Sequence, residues 1–577
     1  MSSSKRKKMY GADALLMGLK QIGVDYIFGN VGTDYPPLIG SLSRCQQAGT
    51  LGIDVPIPIT AHHENLGVNM AYGYYLATGK PQVVFVHTNV GTANAIMGII
   101  DANRAQVPMI LIAGRAPTTE QFDHTSKPGY IHWAQEMFDQ AGMVRENVKW
   151  DYHISTDSVV EIDLILQRAM QMATSYPPGP VYLTFVPEAV DRELELPETV
   201  APPTPISVPH PAPDTVAQVA EWLAAAKHPL IITGGTSRSQ DILPALVALA
   251  DEKTVPVATL LPRSLHFPMN HPLYLGMNPH AAVPTADLII SLETDVPYIP
   301  LHARPNDDCR VVHVGPDPVF QRYVRRGYRA DALVTSGVVE FLNAVQDATP
   351  IPDPTLADER TTWAQDISGA KVAGRERKVA EAERTGEMNF DWISKCIADV
   401  AASDKDVIVL REFDLDSDHL DIAEPGHYYG LSNAGGLGWG LGAALGIRLA
   451  QPDKMPLLAT GDGCYYFGNP AAAHALSNAE GLPFITIVYN NGKWATVANH
   501  TNRWYAELEE PKPPLTGLGP QPHFDKLVEA FGGHGERVEM ASELPAALER
   551  ALQSVRNGQQ ALVNVICESP IVRGEVH

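Results

Sequence analysis

Cysteine is scarce in this chain: five residues, Cys45, Cys309, Cys396, Cys464 and Cys567, among 577 positions. They stand far apart with no C-x-x-C pair, so neither a zinc site nor a disulfide framework is signalled, and a reducing cytoplasm is the expected compartment. Long apolar runs are missing too. Although 45% of the residues are hydrophobic, no stretch reaches the ~18 uninterrupted apolar residues of a membrane helix, and no membrane partner is expected. Basic charge is in deficit. Forty-three Lys and Arg face 66 Asp and Glu, a net charge of −23, which argues against nucleic acid or an anionic membrane as a partner and fits an acidic enzyme. The opening MSSSKRKK is basic with no apolar core behind it, so it does not read as a signal peptide; a frayed tail is expected.

What is present is enough chain for about three domains at roughly 100 to 200 residues each. Two segments break the globular pattern, the proline-rich 197–214 and the polar 352–388, and both read as linkers. They divide the chain into 1–190, 205–345 and 385–577. Each piece alternates short β-branched runs with longer amphipathic ones, so the expected fold class is α/β with three parallel-sheet domains. In the first piece DYIFG, VPIPIT, PQVVFVH and VPMILIAG read as strands, with helices near 10–22, 64–78 and 92–105. In the middle piece HPLIITGGTSRS reads as a Rossmann-like strand and turn. In the last piece VIVL, MPLLAT, PFITIVY and ALVNVI read as strands, in a layout like that of the first.

Near the end of the chain, an apolar run stops at Gly461-Asp462-Gly463, and 26 residues later another stops at NNGKW, which contains Asn491. With NPAAAHALSNAEG as a crossover helix, Asp462 and Asn491 fall at the carboxyl ends of two parallel strands of one βαβ unit, the edge where open α/β sheets bind ligands. A carboxylate and an amide oxygen there suit magnesium, which takes such hard donors together with phosphate oxygens. Upstream, SNAGGLGWGLG is a glycine-rich turn opening a helix, a setting that favours a diphosphate. Each of the two strand-end motifs is a good turn by itself; their spacing is what points to a site. The glycines do not fall as G-x-G-x-x-G, which discounts a nicotinamide cofactor.

This spaced pair resembles the thiamine-diphosphate motif, G-D-G followed some two dozen residues later by N-N. The first domain carries a second resemblance: AHHENLGVNMAYGYYLATGKP is similar to the family's H-E-x-x-x-x-x-M-A-x-G-Y-x-x-x-T-G-K-P. The resemblance covers nearly the whole chain and implies a pyrimidine-binding domain (1–190), a central Rossmann-like domain (205–345) and a diphosphate- and Mg2+-binding domain (385–577). Glu64 would contact the aminopyrimidine ring and activate the cofactor, while a plain first-turn glutamate on a helix dipole is the ordinary alternative. Asp462, Asn491 and the main chain of Lys493 would hold Mg2+. Gly461, Gly463, Gly435, Gly436, the propping Leu437 and Asn94 would complete the thiamine diphosphate site.

Within the superfamily the chain looks closest to the acetolactate synthase and benzoylformate decarboxylase group. VFVHTNVGTANAIMG is similar to the decarboxylase's L-H-S-A-A-G-T-G-N-A-M-G and carries over His87 as active-site histidine. FGNVGTDYPPLI is similar to its F-G-N-P-G-S and puts Thr33 in the place of a substrate-binding serine. FDQAGMVRENVKWDY is compatible with the synthase branch, so the branch stays open. His302 lies near a second histidine of the decarboxylases, with a structural role expected; the side chains of Lys493 and Trp494 receive no role. The synthases' flavin segment is absent, so FAD is unlikely and the central domain is expected to be structural.

The implied function is a thiamine-diphosphate- and Mg2+-dependent 2-keto acid decarboxylase or carboligase working through an enamine. The alternatives are a C–C lyase acting on 2-hydroxy ketones or 2-hydroxyacyl thioesters and, of another class, a non-catalytic paralogue that binds or regulates a partner. Since the family closes each site between two subunits, a cytoplasmic homodimer or homotetramer is implied.

Overall fold

The computed structural model describes residues 6–235, 238–505 and 513–568, which fall into two compact units. One unit holds the chain through Ile206 with Ser432–Gln451 and Gly468–Glu480; the other holds Ser207–Leu431, Pro452–Phe467 and the chain from Gly481 on. Among the described residues no helix is long and apolar enough to cross a membrane.

The first unit contains β1 (Arg6–Tyr10), β2 (Tyr26–Asn30), β3 (Ile57–Thr60), β4 (Val83–Val86), β5 (Ile110–Gly114), β6 (Asp151–Ile154), β7 (Val181–Phe185) and β8 (Glu193–Pro197). Six of these make an all-parallel sheet in the order β3-β2-β4-β5-β7-β6. β4, β5 and β7 are buried along their whole length, the continuous apolar pattern of strands covered on both faces.

The helix Glu64–Thr78 is buried almost all round. It packs on the helix Trp439–Ala450 through glycines: a Cβ on Gly73 would stand 2.2 Å from the Ala443 carbonyl oxygen, and one on Gly446 would stand 2.1 Å from that of Met70. Two backbones can approach this closely only where the side chain is a hydrogen, so Gly446→Ala would overpack the contact by about 1–3 kcal/mol. The ring edge of Tyr72 against Trp439, at 5.5 Å, closes the same interface.

The second unit holds two parallel sheets. β9 (Pro229–Thr233), β10 (Val257–Thr259), β11 (Leu288–Leu292), β12 (Arg310–Gly315) and β13 (Ala332–Thr335) run in the order β10-β9-β11-β12-β13. β14 (Val407–Glu412), β15 (Tyr428–Gly430), β16 (Met455–Gly461), β17 (Ile485–Asn490), β18 (His534–Val538) and β19 (Ala561–Ile566) run in the order β15-β14-β16-β17-β19-β18. All seven residues of β16 and all six of β17 are buried. The three-domain α/β reading therefore holds, with three parallel sheets.

Two expectations are corrected. Of the segment expected to fray, residues 1–5 lie outside the described residues, and Arg6 onward is not a tail. Arg6–Tyr10 pairs antiparallel with Glu193–Pro197, setting RKKMY against the acidic ELELP, with Met9 buried and Lys8 2.8 Å from Glu193. Opposite charge on facing strands gives this basic segment a partner that the tail alone does not reveal. The polar stretch 352–388 is also not an irregular linker, since Pro354–Thr385 is one helix of 32 residues. Its alanines, glutamates, lysines and arginines are strong helix formers, and the Asp353 side chain caps the start by accepting from Leu356 N–H, a contact worth about 1 kcal/mol. Arg360 anchors it, donating to the carbonyls of Leu223, Ala226 and Lys253. Residues 198–212, by contrast, carry no helix or strand, as expected of a proline-rich linker.

Candidate active site

In the first unit the strand order reverses between β2 and β4, and the turns that leave those two strands carry the chemistry. After β2 comes Gly32-Thr33-Asp34; after β4 comes His87. Asp34 is fully buried. Its Oδ1 is 2.5 Å from His87 Nδ1, and its Oδ2 accepts from Thr88 N–H at 3.2 Å. A carboxylate oxygen accepts from the ring, so Nδ1 carries the proton and Nε2 is the ring atom not bound to Asp34. The bond to Asp34 raises the His87 pKa; burial opposes this, and Gln135 and Glu64 push with Asp34.

Glycines make room for the pair. A Cβ on Gly32 would meet His87 Nδ1 at 2.1 Å, and one on Gly114 would meet Asp34 Oδ2 at 1.7 Å. Thr88 takes φ of +31°, a left-handed conformation that is unusual for a β-branched residue, where the chain turns from His87 into the helix Thr88–Arg104.

Glu64 is the first residue of its helix and is 8% exposed. Its Oε2 accepts from Asn94 Nδ2 at 3.0 Å, so Asn94, expected at the cofactor, bonds the glutamate. Thr33 is exposed, and its hydroxyl lies 3.2 Å from His132 Nε2. The glycine-rich turn belongs to the same unit. There the Gly435 N–H donates to Ser432 O and the Gly436 N–H donates to the Asp101 carboxylate at 3.1 Å, so both amides expected to face a diphosphate already have acceptors. Leu437 is half-buried, and Gly438, at φ +91°, caps the helix that follows.

In the second unit the matching reversal lies between β14 and β16. Asp462 follows β16 and is 2% exposed. Its Oδ1 accepts from Gly463 N–H at 2.7 Å, and its Oδ2 accepts from Gly492 N–H at 2.6 Å, which ties the end of β16 to the turn after β17. Asn491 is 7% exposed and its Oδ1 accepts from Lys493 N–H, while Gly492 supplies the left-handed turn at φ +68°. Asn490 has a different role: it bonds Asn564 and the Pro522 carbonyl.

The glycines of the G-D-G have physical reasons. A Cβ on Gly461 would lie 2.3 Å from Asp414 Oδ2, and one on Gly463 would lie 2.2 Å from the Trp494 ring. Trp494 thus acts as a wall over the motif. His302 lies in this unit at the surface, with its ring 5.5 Å from that of His280.

Burial pushes Asp462 up to about 6, against the pull of its backbone N–H donors. Asp414 is pushed up to about 7 by burial first and by Asp462 next. Among the described residues no lysine or arginine pairs with Asp462. Two buried acids, of which Asp462 is held by backbone N–H groups of the turn that carries the Asn491 amide, offer hard oxygen donors of the kind a dication takes.

Sequence reasoning missed Asp34, His132 and Asp414. Asp34 had a signal, but an ambiguous one: an acid followed closely by two prolines reads as a helix cap, whereas the helix Pro36–Ala48 starts from Tyr35 with no side-chain cap. His132 and Asp414 reach their partners only through the fold.

Three parallel sheets, one edge pairing an acid with a histidine and another joining a carboxylate to an amide turn, define a cofactor-dependent α/β enzyme. The amino-terminal TPP-binding domain of the thiamine pyrophosphate enzymes matches residues 9–143, their central domain matches 216–345, and their carboxyl-terminal TPP-binding domain matches 416–565. The chain belongs to this family. It is 24% identical over 582 residues to an acetolactate synthase large subunit of Haemophilus influenzae, covering 96% of this chain and 93% of that one. The fold is similar to that of a thiamine-diphosphate-dependent 4-hydroxybenzoylformate decarboxylase of Rhodococcus jostii, with a TM-score of 0.76 at 20% identity over 98% of this chain and 100% of that one. It is equally similar to benzoylformate decarboxylase from Polynucleobacter necessarius, with a TM-score of 0.76 at 20% identity over 97% and 99%.

Proposed function

We propose that this enzyme uses thiamine diphosphate and Mg2+ to decarboxylate a 2-keto acid, either releasing an aldehyde or passing the acyl unit to a second carbonyl compound. One observation carries the reading: Asp462, buried at the end of β16, is tied by its carboxylate to the Asn491-Gly492 turn at the end of β17. Asp462, Asn491 and the Lys493 carbonyl would hold the metal. Thiamine diphosphate, when bound, supplies the electron sink for breaking a bond beside a carbonyl.

The chain's own residues do the rest. Glu64, steadied by Asn94, holds a proton against the pyrimidine ring. His87, oriented by Asp34, moves a proton at Nε2, a type of step that contributes about 10² to 10⁴-fold in rate. Thr33 binds the substrate's carboxylate. The names of the relatives, acetolactate synthase and 4-hydroxybenzoylformate decarboxylase, support pyruvate-like and aryl 2-keto acids as first candidates. A cytoplasmic homodimer or homotetramer, with Glu64 of one subunit serving the diphosphate site of another, completes the proposal.

The test is carbon dioxide release from pyruvate and benzoylformate by protein with and without both cofactors. Release that needs both is expected. Equal release without them, or none from any 2-keto acid, would overturn the reading.

A further inference from the structure

The loop between β14 and β15 turns an acid and a histidine toward an acid on the helix Phe390–Ser403. Asp391 stands on the first turn of that helix, whose start the Asn389 side chain caps by accepting from Trp392 N–H at 2.9 Å. Asp416 caps the short turn Ser417–His419: its Oδ1 accepts from Asp418 N–H at 3.1 Å, and its own N–H donates to Ser394 Oγ at 3.0 Å, which ties the loop to the helix. Asp416 Oδ2 takes no part in the cap and stands 4.0 Å from His419 Nε2. The same ring nitrogen is 3.3 Å from Asp391 Oδ1, and the His419 side chain is 6% exposed. One nitrogen and two carboxylate oxygens, from three half-buried residues, thus lie within 4.8 Å of one another.

A single N–H at Nε2 cannot serve both carboxylates, because the one directed at Asp391 leaves Asp416 Oδ2 beyond hydrogen-bond reach. A dication bonds all three atoms at once. Tetrahedral zinc, with bonds of about 2.0–2.2 Å, sets its ligand atoms about 3.4 Å apart. His419 and Asp391 already have that spacing, and a side-chain shift of about 1 Å brings in Asp416 Oδ2. Lys378 stands 3.3 Å from Asp391 Oδ2 and 3.5 Å from Oδ1, but its side chain is 60% exposed and it offsets only one of the two carboxylate charges. We propose that Asp391, Asp416 and His419 form a second metal site, which takes Zn2+ and pins the β14–β15 loop to the helix Phe390–Ser403. The donors select the ion: an imidazole nitrogen suits zinc, whereas Mg2+ takes oxygen ligands in an octahedral shell. Three protein ligands leave the fourth position to water. The same loop carries Asp414, so the metal fixes the backbone two residues from that acid.

The test titrates Zn2+, and Co2+ as its visible stand-in, into full-length protein loaded with thiamine diphosphate and Mg2+ and freed of excess cofactor, so that the Asp462 edge is already filled. One ion per chain is expected, with the intense absorption of low-coordinate Co2+ and, at saturating Zn2+, a thermal midpoint higher by about 2–4 °C. His419→Gln keeps a hydrogen-bonding group of similar reach but is a poor ligand, and Asp416→Asn keeps the capping oxygen but loses the charge. Each should retain the wild-type circular dichroism and weaken Co2+ binding by at least the roughly 10 to 100-fold that follows when a residue merely orienting a ligand is changed. Lys378→Ala, which removes the competing cation and leaves the three ligands whole, should bind Co2+ more tightly. Asp462→Ala should keep the Co2+ band.

No ion bound at millimolar Co2+, binding that neither His419→Gln nor Asp416→Asn weakens, or a band that Asp462→Ala abolishes would overturn the inference while leaving the proposed function intact. Tighter binding in Lys378→Ala supports the site even where a ligand variant fails to fold, and affinity unmoved by that substitution would count against it. Absence of cofactor-dependent carbon dioxide release would overturn the proposed function and leave the metal site standing.

Discussion

The first and last large sheets are built alike. Counted along the chain, each runs its six strands in the order second, first, third, fourth, sixth, fifth. In both, an acid follows the first strand and interacts electrostatically with the residue that follows the third, and a glycine at the end of another strand of the sheet leaves space for that acid: Asp34 with Gly114 in one, Asp414 with Gly461 in the other. The partners differ. Asp34 meets His87, a base, so its charge is compensated inside the protein. Asp414 is pushed up by burial and raised further by the charge of Asp462, a second acid, which burial also pushes up. One frame thus yields two chemistries. An acid with a histidine moves protons, whereas two acids beside an amide turn call for a cation from outside.

The largest effect is expected from the first edge. Glu64→Gln removes the acid that Asn94 holds, and turnover should fall by about 10² to 10⁴-fold while cofactor affinity stays near that of wild type. Steady-state rates beside a calorimetric affinity check this, and near-normal turnover would remove Glu64 from the chemistry. Next is Asp34→Asn, which leaves His87 without its carboxylate. The Asp34 bond raises the His87 pKa, so the protonated ring persists to higher pH and is lost as pH rises through that raised value. The variant should lose the proton earlier, moving the alkaline limb of the rate profile to lower pH, with kcat about tenfold down or more. An unmoved limb would separate Asp34 from His87.

Smaller effects probe the second edge. Gly463→Ala sets a methyl against the Trp494 ring and should lower stability by about 1–3 kcal/mol, measured by urea unfolding; Trp494→Ala in the same chain should relieve the clash. The smallest is expected at the β1–β8 pair, where Lys8→Ala removes a solvent-exposed ion pair and leaves both the urea midpoint and the activity near those of wild type.

These comparisons also mark how far the sequence could be read. The strands before Gly461 and Asn491 and the helix opened by Glu64 were legible because apolar period and turn residues are local signals. So was the likeness in layout between the first and last pieces. The partners of those residues were not. Asp34 and His87 are separated by 52 intervening positions, and Asp462 acts on Asp414 only because parallel pairing of β14 with β16 sets the strand ends side by side. Gly461 and Gly463 could be read as turn formers, yet what they answer to, Asp414 and the Trp494 ring, comes from distant parts of the chain. The 352–388 stretch misled for the opposite reason: its polarity reads as linker, while its propensity makes a helix that Arg360 pins to the central sheet's unit.

That the acid-with-acid edge holds a dication and, through it, a diphosphate is tested most directly by calorimetric titration of thiamine diphosphate into wild type and Asp462→Ala, each with and without Mg2+. The wild type should bind tightly only when Mg2+ is present, and more tightly as pH rises through about 6, where Asp462 ionises. Asp462→Ala should lose the joint binding while keeping its fold, since the substitution removes no apolar core. Metal-independent affinity unchanged by Asp462→Ala would contradict this and leave Gly461-Asp462-Gly463 and the Asn491 turn as turns alone.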